Sequence, residues 1–354
     1  MRRQAQHQPV AGERRLVSLL AIVVCACMLL ATTSLYAQGP APYMVKQINT
    51  TVDTASSSPS QFVQVGTLTF FVAYDSSHGQ ELWATDGTES GTYLVKDICA
   101  GGCPSSPQYL TNVNGTLFLT AYNGVNGQEL WKSDGTSAGT VMVKDIYSGV
   151  GGNPPQNLTN VNGILFFIAN DGVSGIELWK SDGTAAGTVM VKDICAGANS
   201  SSPSYLTNVN GTLFFTANDG VNGTELWKSD GTAAGTLMVK DIYAGASTSS
   251  PSYLTNVNGT LFFEAYDTVN GYALWKSNGT GVGTVIVKAY GGSAPTGLTN
   301  VNGTLFFQAY DNLSGVELWK SDGTGAGTVL YLGCKQRLRN AVNDHIGLEP
   351  DVPS

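Results

Sequence analysis

The chain has 354 residues, 42% of them hydrophobic, only 12% charged and 43 of them glycine, with a formal net charge of −8. So few charges, against about 25% in an average soluble domain, argue for short strands and turns rather than long ion-paired helices, and the apolar share excludes disorder over most of the length. Lys and Arg nowhere cluster as phosphate binding requires, which excludes nucleic acid as a partner. The three histidines, His7, His78 and His345, leave little room for His-based catalysis or metal chemistry.

Arg2, Arg3, Arg14 and Arg15 precede an apolar run from Leu16 to Ala31, interrupted only by Ser18, and Leu35-Tyr36-Ala37 offers a cleavage site. This pattern predicts a secretory signal over residues 1–37. An uncleaved anchor is the alternative, because Leu16–Ala37 nearly reaches spanning length. Arg14-Arg15 and Cys27 are weaker hints of twin-arginine export and of a lipoprotein site. No later segment could cross a membrane, so the expected location is secreted or cell-surface, with the periplasm as the alternative. Without the signal, 14 basic residues face 25 acidic ones, a net charge of −11. Export permits disulfides. Cys99 and Cys103 share the loop DICAGGCPSSP and could close a small ring, whereas Cys195 stands where other units carry Tyr147 and Tyr243. No CxxC pair or Cys/His cluster suggests zinc.

All six tryptophans recur in register, Trp83, Trp131, Trp179, Trp227, Trp275 and Trp319, at spacings of 48, 48, 48, 48 and 44. The text around them repeats almost verbatim, which identifies an internal array. Its units run over about 57–104, 105–152, 153–200, 201–248, 249–292 and 293–332. The shorter fifth unit reflects a deletion in Ala289–Gly297, which is expected to be a loop.

Each unit holds four strand candidates, in the fourth Ser204–Val209, Thr212–Ala217, Thr224–Ser229 and Thr236–Ile242. Asn210-Gly211 predicts a type I′ hairpin between the first two, since that turn needs positive φ twice. Asp219-Gly220 and Asp230-Gly231-Thr232 turn the chain twice more, and AGASTSSPS is a surface connection to the next unit. Leu213 and Phe215 point one way and Phe214 the other, so the second strand is covered on both faces. Four antiparallel strands per unit, with inner strands packed on both sides, predict an all-β fold, a β-propeller of six four-stranded blades. YMVKQI at Tyr43–Ile48 matches LMVKDI at Leu237–Ile242 and is expected as an extra closing strand for the last blade. From Gly333 to Ser354 the repeat stops, leaving a tail that is either non-repetitive or a truncated unit.

The unit ELWKSDGTAAGT at Glu225–Thr236 recurs in all six repeats and resembles the ELWxxDGT repeat family of exported bacterial proteins, over about Tyr43 to Leu332. That resemblance implies a secreted or surface location and a propeller-like fold, and it implies little about activity.

Several residue sets invite a chemical reading. The tryptophans are expected to glue blade to blade, the alternative being a ring of sugar-stacking indoles. Asp86, Asp134, Asp182, Asp230 and Asp322 each precede Gly-Thr. They are turn formers or, with Asp171, Asp219 or Asp311 nearby, ligands for calcium, the candidate cofactor. Glu81, Glu129, Glu177, Glu225 and Glu317 open the ELW strand as surface partners of lysines or, less simply, as glycosidase acids. Five near-identical copies argue against one catalytic site, so the chain is expected not to be an enzyme. Among one-off residues, Glu264 lies in an apparently buried strand, Ala273 and Asn278 replace the usual Glu and Asp, and His78 is a solvated loop residue. Asn114, Asn210, Asn258 and Asn302 match glycosylation sequons, but in NGT triplets they are hairpin turns. The expected function is multivalent binding or adhesion to surface polysaccharide or to an envelope or extracellular protein. The alternatives are a carbohydrate-active enzyme with carboxylates such as Glu264 in the central channel, and a structural spacer.

Overall fold

The computed structural model describes residues 43–50, 56–313 and 315–331; the expected signal and the tail lie outside the described residues. The blades belong to the unit Lys46–Ser354.

The fold is a β-propeller. Six four-stranded antiparallel sheets follow one another, each with its strands in sequence order. Blade one runs from Ser60–Val65 to Tyr93–Lys96, blade two from Gln108–Val113 to Val141–Lys144, and blade three from Gln156–Val161 to Val189–Lys192. Blade four comprises Ser204–Val209, Thr212–Asn218, Thr224–Ser229 and Leu237–Lys240. Blade five runs from Ser252–Val257 to Val285–Gly291, and blade six from Thr296–Val301 to the two-residue strand Val329–Leu330. No helix occurs among the described residues.

The hairpin turns form as the sequence predicts, with φ of 50° at Asn210 and 82° at Gly211. The fourth strand is shorter than its apolar alternation suggests. The Ile242 N–H leaves the ladder and donates to the Glu225 carboxylate at 3.0 Å. In blade five the position of that glutamate is Ala273, and there the ladder simply continues, Ala273 opposite Ala289. Ala289–Gly291 is therefore strand rather than loop, so the four-residue deletion and the missing glutamate are one structural change.

Consecutive blades pack face to face. In blade four Leu213, Phe215 and Trp227 join Phe166, Leu178 and Ile194 of blade three, while Phe214 and Leu226 turn to Phe263 and Trp275 of blade five. Both faces of the second strand are thus buried, which explains its unbroken apolar run. The six tryptophans are all 5–7% exposed; five of them, from Trp131 to Trp319, sit in such interfaces, and Trp83 packs beside Ile48.

Polar groups of the repeat tie the same interfaces. Lys180 Nζ donates to the Gly231 carbonyl of the next blade at 2.8 Å, and Lys192 Nζ to the Thr236 carbonyl at 2.9 Å while lying 5.8 Å from the centre of the Trp227 ring. On the inner strands, Asn160, Asn208 and Asn256 each donate to the carbonyl of the preceding asparagine 48 residues earlier. Much of the ELWKSDGTxxGT and LTNVNGT text therefore encodes docking of one blade on the next.

Tyr43–Ile48, expected as a closing strand, carries no strand pairing. The fourth place of the last blade is held by its own Val329–Leu330, opposite Trp319 and Lys320. Lys46 Nζ instead donates to the Thr92 carbonyl at 2.6 Å, and Ile48 packs on Phe71, Ala73 and Trp83 of blade one.

Candidate functional site

Each first strand contains a bulge. Tyr109, Asn157, Tyr205 and Tyr253 occupy equivalent positions with φ of 54–55°, and Gly297 has φ of 65° at the same place in blade six. A left-handed conformation costs a non-glycine residue roughly 1–2 kcal/mol, so neighbouring structure must hold it. The next threonine but one does so: Thr111, Thr207 and Thr255 donate to the Tyr109, Tyr205 and Tyr253 carbonyls at 2.7–2.8 Å, and Thr159 to Asn157 at 2.9 Å.

These inner strands are one another's neighbours from blade to blade. Tyr109, Asn157 and Tyr205, with the flanking Thr111, Thr159 and Leu206, line an open cavity of about 650 Å³. Tyr205 and Tyr253 keep 48% and 40% of their surface in water. The belt thus offers phenol rings for stacking and hydroxyl and amide groups for hydrogen bonds, in fixed positions about an axis. Sequence reasoning missed it. The 48-residue recurrence of the tyrosine was visible, but strand alternation gives no sign that a bulge aims it into the cavity.

The DGT aspartates are engaged within their own turns. Asp182 Oδ1 accepts the Thr184 hydroxyl and N–H at 2.8 Å each, and Asp230 binds Thr232 likewise. Those bonds, the hydroxyl's first, hold both carboxyls below the usual aspartate value. Asp86, Asp134 and Asp322 repeat the arrangement. Asp171, Asp219 and Asp311 accept backbone N–H groups of their own loops at 2.7–2.9 Å. Among the described residues, no group of three or more His, Cys, Asp or Glu gathers as a metal cluster. The turn also lies against the preceding blade: a Cβ at Gly231 would stand 3.1 Å from Phe166 Cζ.

Four of the five ELW glutamates are not surface partners of lysines, while Glu317 of blade six is only partly buried. Glu81, Glu129, Glu177 and Glu225 are at most 2% exposed. Glu177 accepts the N–H groups of Ile194, Cys195 and Ser201 and the Ser201 hydroxyl, pinning the loop that leads to the next blade. Burial pushes Glu81 and Glu129 up to about 7 and raises Glu177 and Glu225 as well. Glu264, 5% exposed and also raised by burial, accepts the Ser252 hydroxyl through Oε2, while its Oε1 is buried without a partner. It is not among the residues lining the cavity between the inner strands. His78 is paired with the Asp75 carboxylate at 2.9 Å rather than merely solvated. Cys99 and Cys103 form a disulfide, and Cys195 is free and buried.

No family model and no curated protein matches the chain. Solved structures similar to it include a puromycin hydrolase S511A mutant complexed with PGG, at 14% identity and TM-score 0.47, covering 82% of this chain and 47% of that one. A puromycin-hydrolyzing peptidase of Mycobacterium tuberculosis is similar at 11% identity and TM-score 0.45, over 78% of this chain and 46% of that one. The β-propeller domain of the Trilobed protease from Pyrococcus furiosus, with an open velcro topology, is similar at 9% identity and TM-score 0.44, over 76% of this chain and 82% of that one. The chain spans about half the length of the first two. These likenesses concern the fold, yet they correct the expectation that the chain is not an enzyme.

Proposed function

We propose that this propeller is an exported scaffold that binds an extended, repetitive glycan of the surface-polysaccharide class along its inner strands. The observation that carries the reading is the bulge-borne belt of Tyr109, Asn157, Tyr205 and Tyr253, whose costly backbone conformation is fixed in blade after blade by a threonine. Strain maintained by its surroundings is a feature of functional positions. Aromatic faces beside amide and hydroxyl groups suit a sugar's apolar ring face and its hydroxyls. Individually weak contacts repeated about one axis gain strength by multivalency. The charged, then apolar, N-terminal pattern supports export, as does the resemblance to exported ELWxxDGT repeat proteins. The DGT turns contribute less to recognition than their exposure in sequence suggests, because their carbonyls and glycines face the preceding blade.

The test is a polysaccharide and glycan array probed with the full chain, once with calcium and once with chelator, with the incubated glycans checked for cleavage. Binding lost in the Tyr205→Ala/Tyr253→Ala double variant, at an unchanged melting temperature, supports the belt. Binding that survives the double variant sinks it. Binding only in calcium assigns Asp86, Asp134, Asp182, Asp230 and Asp322 a ligand role beyond their turns.

A further inference from the structure

The face that each blade presents to the next is buried five times and left open once. In blades one to five the ELW leucines, Leu82, Leu130, Leu178, Leu226 and Leu274, are fully buried, but Leu318 of blade six is 42% exposed. Val301 is 46% exposed, where its counterparts from Val65 to Val257 lie at 4–9%. Val316 is exposed on the same strand, and Phe306, buried at this position elsewhere, is only half-buried under the edge of Tyr331. Lys320 lies over the Tyr331 ring, whereas Lys180, Lys228 and Lys276 at its position each reach a carbonyl of the following blade.

Blade one is open at Phe62 and Gly87, while its Phe71, Ala73 and Trp83 are already buried beside Ile48. Its Phe62 is 61% exposed, where the matching Leu110 and Leu298 are buried. A Cβ at Gly87 would meet nothing within 4 Å, while Gly183, Gly231, Gly279 and Gly323 each lie under a phenylalanine of the preceding blade. Lys46 and Ile48 already make the contacts with blade one that the fourth strand of a preceding blade makes elsewhere. Blade six has a fourth strand of only two residues, against four or more in the others. Each end therefore lacks what the other carries. Among the described residues, no strand of blade six makes the contacts with blade one that join consecutive blades.

We infer that the exposed face of blade six docks on blade one of a second copy of this chain, head to tail. The five internal interfaces show the fit: an incoming Phe–Leu face over a Phe/Leu–Ala–Trp face, with a lysine reaching the DGT carbonyl. At this junction Phe306, Leu318 and Lys320 of one copy meet Phe62 and the Gly87 carbonyl of the next, beside the outer position that Lys46 and Ile48 hold over Trp83. Because the two surfaces differ, the contact is heterologous and builds rings or open filaments rather than a two-fold dimer.

Sedimentation velocity of the full chain over a wide concentration range tests this. The expected result is self-association that rises with concentration and is abolished by Leu318→Lys and by Phe62→Lys separately, both substitutions at exposed or half-exposed sites that keep the dilute chain folded with only a small loss of stability. Mixing the two variants is the decisive arm. The Leu318→Lys copy keeps an intact blade one and the Phe62→Lys copy an intact blade six, so together they form a one-to-one dimer that grows no further. A wild-type chain that stays monomeric, association that either variant leaves intact, or variants that fail to combine would each overturn the inference.

Discussion

Leu178 and Leu318 sit in the same ELWKSDGT text, so a sequence-based argument assigns them equal weight. In the structure Leu178 is fully buried among Val161, Phe166, Val191 and the facing Leu213 and Phe215 of blade four, whereas Leu318 is 42% exposed. Leu→Ala at a fully buried site costs about 2–5 kcal/mol, the transfer of the lost carbons plus the cavity left between rigid neighbours. At Leu178 both walls are hydrogen-bonded sheets that cannot collapse inward, which places the cost at about 3–4 kcal/mol. At Leu318 a groove open to water replaces the cavity and part of the transfer has never occurred, leaving about 1 kcal/mol. Urea unfolding of each variant, followed by tryptophan fluorescence in dilute solution, reports on the blade interfaces directly because every tryptophan except Trp83 lies in one. Repeat arrays lose two-state behaviour easily, so the midpoints are compared only where the slopes agree. Equal midpoint shifts for the two variants would refute the reasoning, since the sixth blade's face would then be covered even in the isolated chain.

The buried glutamates predict an unusual pH dependence. Burial raises Glu81 and Glu129 from the ordinary 4.5 to about 7, so ionisation costs more in the folded than in the unfolded chain. Their contribution to stability is greatest below 4.5 and declines as the pH climbs to about 7. Glu129→Gln should flatten that decline in urea midpoints taken across the window, and an undiminished slope would count against it. The turn aspartates such as Asp182 lie below their usual 3.8 and act in the opposite sense, losing their contribution as acid protonates them. Gly183→Ala and Gly87→Ala both force alanine into positive φ, but only the first also drives a Cβ to 3.1 Å from a phenylalanine carbon of the preceding blade. The melting temperature should fall further for Gly183→Ala, and equal losses would contradict the blade-to-blade approach. Lys180→Met removes a hydrogen bond to the next blade's Gly231 carbonyl while keeping the apolar stem, and should cost about 1 kcal/mol. Lys320→Met, with no following blade to reach, should change the dilute-solution midpoint by well under half that.

The sequence by itself determined the blade. Period, hairpin turns and the two-sided apolar second strand are local properties, written in spacings of a few residues and repeated six times, so noise in one unit is corrected by the others. Asn210-Gly211 specifies its turn wherever it stands, because the required φ values are a property of two residues. What lies between blades was not legible, because it depends on contacts 40 to 50 residues apart whose partners are themselves repeats. The ELW glutamate looked like a surface acid because alternation cannot show that the loop to the next blade folds over it. Ala273 and the shortened Ala289–Gly297 looked like two accidents until one ladder joined them. The bulge that turns Tyr205 into the cavity between the inner strands, the engagement of the DGT turn with its neighbour, and the exposure of Leu318 were decided by tertiary packing. An identical segment is core when a blade follows it and surface when none does.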